Sequence, residues 1–252
     1  MSGPDPSRAD APPARATAID ASAVAIETSG RIGSVAIARG DDLLHVATFS
    51  TALQHAVELM PTIDRLCRQH RVAPTQVSEL YVSGGPGSFT GLRIGITVAR
   101  TLAWAGGVRV VRVPTLDVVA QNALDVSPSP QFVAVLLDAK RQNVFAAVFA
   151  LDGDRYVATT PARELDPRTF LAGLPPSCAV LGEGVAYHRA AVDSSGLTVL
   201  TEPLNRAKAE VVWRLGRLGA ATEGYDDPRM LVPIYIRRPE AEEVWERKHA
   251  GP

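Results

Sequence analysis

Cysteine is nearly missing from this chain: Cys67 and Cys178 are the only two in 252 residues. That rules out a disulfide framework and any cysteine-rich zinc site. Lysine is scarce as well, at Lys140, Lys208 and Lys248, so arginine supplies most of the 26 basic residues. With so much alanine, this pattern reflects coding bias and carries no functional inference. The chain also lacks charge of one sign: 26 basic against 27 acidic residues leave a net charge of −1. A broad cationic surface working on nucleic acid by bulk electrostatics is therefore excluded. No stretch approaches the roughly 20 apolar residues of a membrane span. What remains is an ordinary globular balance, 46% hydrophobic and 21% charged, long enough to bury a large core without staples. These features predict a soluble protein of a reducing compartment, with the cytoplasm as its location.

Residues 1–20, MSGPDPSRADAPPARATAID, hold four prolines in the first 13 and no apolar run, which predicts a disordered tail. Residues 236–252 are polar again apart from Trp245, as a loose extension or a strap docked by that indole. Between them the chain repeats itself. Ala23–Thr28, Ser34–Ala38 and Leu43–Phe49 read as a three-strand meander, followed by a helix over 53–69, the strand ELYVSGG, a helix over 91–105, the strand VRVVRVP and a helix from Thr115. The order then restarts with FVAVLLDAK, NVFAAVFA and RYVATT, a short helix over 167–174, the strand CAVLGEG, a helix near Tyr187, the strand TVL and a helix over 209–221. Strands alternating with helices predict mostly parallel pairing, with an antiparallel edge from each meander. The reading is α/β: two duplicated lobes over 21–125 and 126–235, each a mixed sheet with helices, and a cleft between them. The competing reading is one irregular sheet whose meander recurs by chance.

The densest local signal is Ser83-Gly84-Gly85-Pro86-Gly87-Ser88-Phe89-Thr90-Gly91-Leu92-Arg93-Ile94-Gly95, which joins a strand to a helix. It fits no P-loop, having no lysine, and Gly85, Gly87 and Gly91 are spaced one residue too far for a dinucleotide fingerprint. Two readings stay open. Gly87 and Ser88 can form an anion-binding turn at a helix N-terminus, or the glycines can let the helix pack tightly on the sheet. Ser88 or Thr90 can cap that helix. Glu27-Thr28-Ser29 and Asp138 end the first strand of each repeat, where ligands bind in open α/β sheets. The two acids can flank a magnesium–nucleotide, or each can satisfy backbone donors in its own hairpin. The histidines His45, His55, His70, His188 and His249 include no pair at i, i+4, so zinc or iron held by this chain has no visible seat. No GxSxG elbow is present for a hydrolase.

The two helices of the first repeat are unusually apolar. Leu59, Met60, Ile63 and Leu66 make one stripe, and Pro61 predicts a kink or a fresh start. In GLRIGITVARTLAWAGG little polar face remains, so both sides must be covered, one by the sheet and the other by a helix or another chain.

SGGPGSFTGLRIG resembles the signature of the TsaB (YeaZ) family, dimerisation subunits of the bacterial tRNA threonylcarbamoyladenosine machinery. AIETSGRIGSVAIARG, HAVELMPTI, DAKRQNVFAAVFALDG and PIYIRRPEAEEVW agree in order, so the resemblance covers roughly residues 23–245. It implies the duplicated fold of actin-like ATPases, sugar kinases and Hsp70. It also implies the role of a non-catalytic scaffold that binds and activates a TsaD-like transferase, which carries the metal and modifies the adenosine beside the anticodon. A TsaE-like ATPase completes the set, the chain forms a homodimer when alone, and tRNA is met indirectly. No cofactor is required by this chain, while ATP or ADP can sit at the junction with the partner. The partner and homodimer contacts carry over onto Leu59, Met60, Ile63, Leu92, Val98 and Leu102, and a nucleotide or anion cleft onto Glu27, Thr28, Ser29, Gly87, Ser88 and Asp138. Three departures count against nucleotide binding: Glu27 replaces a more usual aspartate, and Asn143 and Phe145 replace an expected acid or amide and a tyrosine. The alternative within the fold is an ATP-dependent kinase or ATPase. A metallopeptidase is disfavoured by the unpaired histidines.

Overall fold

The computed structural model describes residues 21–237. The tail over 1–20 and Trp245 lie outside them. Strands β1 (Ser22–Glu27), β2 (Ser34–Arg39) and β3 (Asp42–Thr48) form an antiparallel meander, while β4 (Val77–Gly85) and β5 (Arg109–Pro114) add in parallel on the other side of β1. The sheet order is β3-β2-β1-β4-β5. In the second half β6 (Phe132–Asp138), β7 (Val144–Asp152), β8 (Arg155–Ala158), β10 (Cys178–Leu181) and β11 (Thr198–Val199) take the order β11-β10-β6-β7-β8. Matched strand for strand, the two orders and all four pairing directions are the same. The repeat read from the sequence is a structural duplication of one mixed-sheet lobe. A short β9 (Arg163–Leu165), which the sequence did not signal, pairs with the near end of β7.

The strands of the first sheet are sorted by side-chain size. Along β1 and β2, Val24, Ile26, Val35 and Ile37 point to one face and Ala23, Ala25, Ala36 and Ala38 to the other. Helices α1 (His55–Gln69) and α2 (Phe89–Gly106) cover the bulky face. The alanine face lets α7 (Ala209–Thr222) approach closely. Its Gly216 lies so near the Tyr81 ring that a Cβ there would be 2.5 Å from Cδ1.

Helix α3 (Thr115–Gln121), the equivalent of α7 in the first repeat, does the converse. Its Leu116, Val119 and Ala120 pack with Val133, Val135 and Leu137 of the second sheet. The two equivalent helices thus exchange sheets, so a boundary drawn by sequence order at 125/126 differs from the layers drawn by packing. The other face of the second sheet is covered by three short helices, α4 (Pro167–Ala172), α5 (Gly184–Tyr187) and α6 (Arg189–Ser195).

Two expectations need correction. Helix α1 is one unbroken element beginning at His55, with Pro61 inside it. The carbonyl that Pro61 leaves without its usual N–H belongs to Val57, an exposed residue, so the lost bond falls on the outer side. Helix α2 starts at Phe89 and ends on the left-handed Gly107, φ 65°. No helix among the described residues is long and apolar enough to cross a membrane.

Candidate functional site

The C-terminal ends of β1, β4 and β6 meet at the junction of the lobes, around a cavity of about 650 Å³. From the first lobe it is lined by Ser29, Arg31 and the turn Pro86–Phe89, and from the second by Asp138, Lys140, Glu183 and Tyr187. Ile234–Arg237 close a third side. That last segment is tied to the first lobe by Ile234 N–H donating to Gly84 O at 2.7 Å, and to the second by Arg237 Nη1 on Glu164 Oε1 at 2.9 Å.

The glycines of GSFTGLRIG serve close packing. A Cβ on Gly87 would lie 2.5 Å from Ser29 O, one on Gly95 2.5 Å from Thr28 Oγ1, and one on Gly91 far inside 3.0 Å of Thr28 O. Helix α2 therefore sits directly on the backbone that follows β1. Ser88 is its N-cap, accepting from Gly91 N–H at 3.3 Å, while Ser88 N–H donates to Ser29 O at 2.7 Å. Of the two readings of this segment, the geometry favours the packing turn.

The expected cleft residues separate into two layers. Ser29, Gly87, Ser88 and Asp138 reach the cavity, whereas Glu27 and Thr28 are wholly buried behind it. Glu27 accepts from Ser29 N–H and Oγ–H, each at 2.5 Å, and burial pushes its pKa up despite those bonds. It caps its own turn and does not line the cavity, while its other oxygen, Oε2, is buried without a hydrogen-bond partner. Asp138 behaves similarly, accepting from Lys140 N–H at 3.1 Å and Nζ at 2.6 Å, with His188 Nε2 at 3.5 Å. Partial burial acts to raise its pKa, but the Lys140 bonds and charge hold it below the usual carboxylate range. The β6–β7 turn then passes through three successive left-handed residues, Lys140, Arg141 and Gln142.

Glu183 and Tyr187 were missed in the sequence. A signal for them exists in Leu181-Gly182-Glu183-Gly184, the second repeat's counterpart of the glycine-rich turn after β4. Gly182, at φ 113°, lies against Leu136 O. Burial raises the Glu183 pKa, and Glu183 Oε1 receives Arg31 N–H at 3.4 Å across the junction. Among the described residues no group of three or more His, Cys, Asp or Glu is placed to hold a metal ion.

The helix pair α1/α2 also sorts differently from expectation. Leu59, Ile63 and Leu92 are buried in this chain's own core, so they cannot present a surface. Val98 and Leu102 are half-buried and pack against that core. Of the six, Met60 is exposed, at 46%. Val57 at 65% and Trp104 at 90% join it on the same two helices.

Residues 49–245 match the family model described as TsaD: tRNA N6-adenosine threonylcarbamoyltransferase. The tRNA threonylcarbamoyladenosine biosynthesis protein TsaB of Bacillus subtilis is 28% identical over 228 residues, covering 87% of this chain and 95% of that one. An uncharacterized protein of Mycobacterium tuberculosis, Rv3421c, is 30% identical over 214 residues, 82% of this chain and 88% of its own. YeaZ from Pseudomonas aeruginosa shares the fold, with a TM-score of 0.74 at 24% identity over 85% of this chain and all of that one. Such matches run through both lobes and through the turn that seats α2, and on them the chain belongs to the TsaB (YeaZ) family of tRNA threonylcarbamoyladenosine biosynthesis proteins.

Proposed function

We propose that this chain works in tRNA threonylcarbamoyladenosine biosynthesis as a non-catalytic scaffold subunit, binding and activating a TsaD-like transferase. The observation that supports it is the outer face of α1 and α2, where Val57, Met60 and Trp104 stand in solvent on helices already rich in apolar residues. In this reading the same face closes a homodimer when the chain is alone and is handed to the partner when it is present. A TsaE-like ATPase joins the pair in the cytoplasm, ATP or ADP sits at their junction, and tRNA is reached mainly through the transferase.

The test is size-exclusion chromatography with light scattering, on the chain alone and mixed with the TsaD-like subunit of the same organism. A defined heterocomplex that replaces any homodimer is expected. Absence of a complex, with and without ATP, would refute the reading. The second reading, an ATPase or kinase of the same fold, draws on the interlobe cavity with Ser29, Ser88 and Asp138 on its wall. Nucleotide hydrolysis lost on Asp138→Ala would favour it. The enclosure of Glu27 argues the other way.

A further inference from the structure

At the cavity mouth each lobe presents an aromatic ring with a cation beside it. On the first lobe Arg93 lies over the Phe89 ring, 3.9 Å from its centroid, and donates from Nε to Tyr235 Oη at 3.2 Å. The Phe89 and Tyr235 ring centroids are 5.8 Å apart. On the second lobe Lys140 Nζ lies 5.3 Å from the Tyr187 ring centroid, and Arg31 Nη1 from the first lobe donates to Tyr187 Oη at 3.2 Å. Phe89, Tyr187 and Tyr235 are all exposed, at 42%, 49% and 38%, and all line the one cavity.

We infer that this mouth docks one unstacked nucleotide of an RNA loop, its base on the aromatic rings and its phosphate toward Arg31 and Lys140. Every base has a π-face, and exposed rings beside cations are the chemistry by which proteins take single-stranded RNA. The cations are already positioned by Tyr187 and Asp138, so little side-chain freedom is lost on binding. Of the nearby acids, Asp138 accepts from Lys140 and lies beside His188, and burial raises the pKa of Glu183. A cavity of about 650 Å³ is of the size that takes a small ligand. A net charge of −1 requires that any RNA contact be local, and this site is local. The inference rests on the proposed role in tRNA modification and adds to it a contact made by this chain itself.

The experiment is fluorescence anisotropy of the full chain with a labelled RNA hairpin whose loop carries unpaired adenines, beside a blunt duplex of equal length. The hairpin should bind and the duplex should not, since an A-form helix keeps its bases stacked. Phe89→Ala and Tyr187→Ala should each weaken hairpin binding by about 5- to 150-fold, with Phe89→Tyr retaining it. The logarithm of the affinity should fall with log salt at a slope of about −0.7, as one neutralised phosphate of a single strand gives. Unchanged affinity in both alanine variants, equal binding of the duplex, or displacement of the hairpin by AMP at least as tightly as the hairpin binds would overturn it. Both variants, run with the TsaD-like subunit by light scattering, should still form the complex. Loss of RNA binding alone is thus kept apart from failure of the scaffold role.

Discussion

Adding one methyl group to Gly91 should damage this protein more than a helix-propensity table suggests. In an exposed helix Gly→Ala gains about 1 kcal/mol. Here the new Cβ would sit far inside 3.0 Å of the Thr28 carbonyl oxygen, which is backbone and cannot rotate away. Helix α2 would have to lift from the end of β1, disturbing its own buried Leu92, Ile96, Ala99 and Ala103. Overpacking of a tight core costs about 1–3 kcal/mol, and with immovable backbone on one side the upper end applies. Net of the propensity gain, a loss of about 2 kcal/mol remains, lowering the melting temperature by about 4–8 °C in a chain of this length. Gly219→Ala is the matched control. It also lies inside a helix, but its Cβ would meet only Val111 Cγ1, at 3.4 Å, and it should be neutral or stabilising by up to about 1 kcal/mol. Thermal denaturation followed by circular dichroism distinguishes the two. If Gly91→Ala melts at or above the parent temperature, the close seating of α2 is wrong, and the glycines of SFTGLRIG need another explanation, the anion-binding turn foremost.

Two further outcomes are expected. Met60→Asp and Val57→Asp should abolish the complex with the TsaD-like subunit while leaving the melting temperature unchanged, because both side chains stand in solvent; Leu59→Asp should instead unfold the chain, and co-elution together with melting curves separates these effects. Asp117, in the first turn of α3, has its pKa raised by burial from 3.8 to about 6. An acid whose folded pKa is raised binds its proton more tightly when folded, so the contribution of Asp117 to stability should be fully present below about pH 4, fall between about pH 4 and 6, and be lost above that, by on the order of 2–3 kcal/mol. Asp117→Asn should remove this part of the pH dependence, and urea titrations at pH 4 and 7.5 giving the same difference for parent and variant would refute it.

The order of elements was legible because the periodicities are strong. Alternating small and large residues in AVAI and SVAIA mark strands packed on both faces, and the apolar stripe of α1 marks a helix against a sheet. Less was legible where the outcome depends on which copy of the repeat an element joins. The apolar α3 and α7 would pack on either sheet, and only the alanine face of the first sheet together with Gly216 selects α7 for it. The same limit governed the site. Glu27 and Asp138 are equivalent in sequence, but Glu27 is enclosed by the α2 turn and Asp138 is open to the cavity. For the helix pair, a stripe gives the apolar side without dividing it into core and surface, so Leu59, Ile63 and Leu92 were expected at an interface and are core instead.

The duplication itself bears on where a partner would bind. Both lobes share one strand order, so the helices at equivalent places measure what each lobe has added to the same frame. Between the third and fourth core strands the first lobe has a helix of 15 residues and the second one of 6; after the fourth core strand the first lobe has 18 residues in one helix, the second 4 and 7 in two. Short helices suffice to cover a sheet of this width, as the second lobe demonstrates by burying Leu171, Val185 and Val192. The longer pair in the first lobe therefore carries more surface than its own sheet needs, and that surplus includes Val57, Met60 and Trp104. Exposed apolar surface held on rigid helices gains nothing for an isolated chain and raises the risk of aggregation. It is accounted for if another helical surface covers it, which is what the proposed scaffold role asks of α1 and α2.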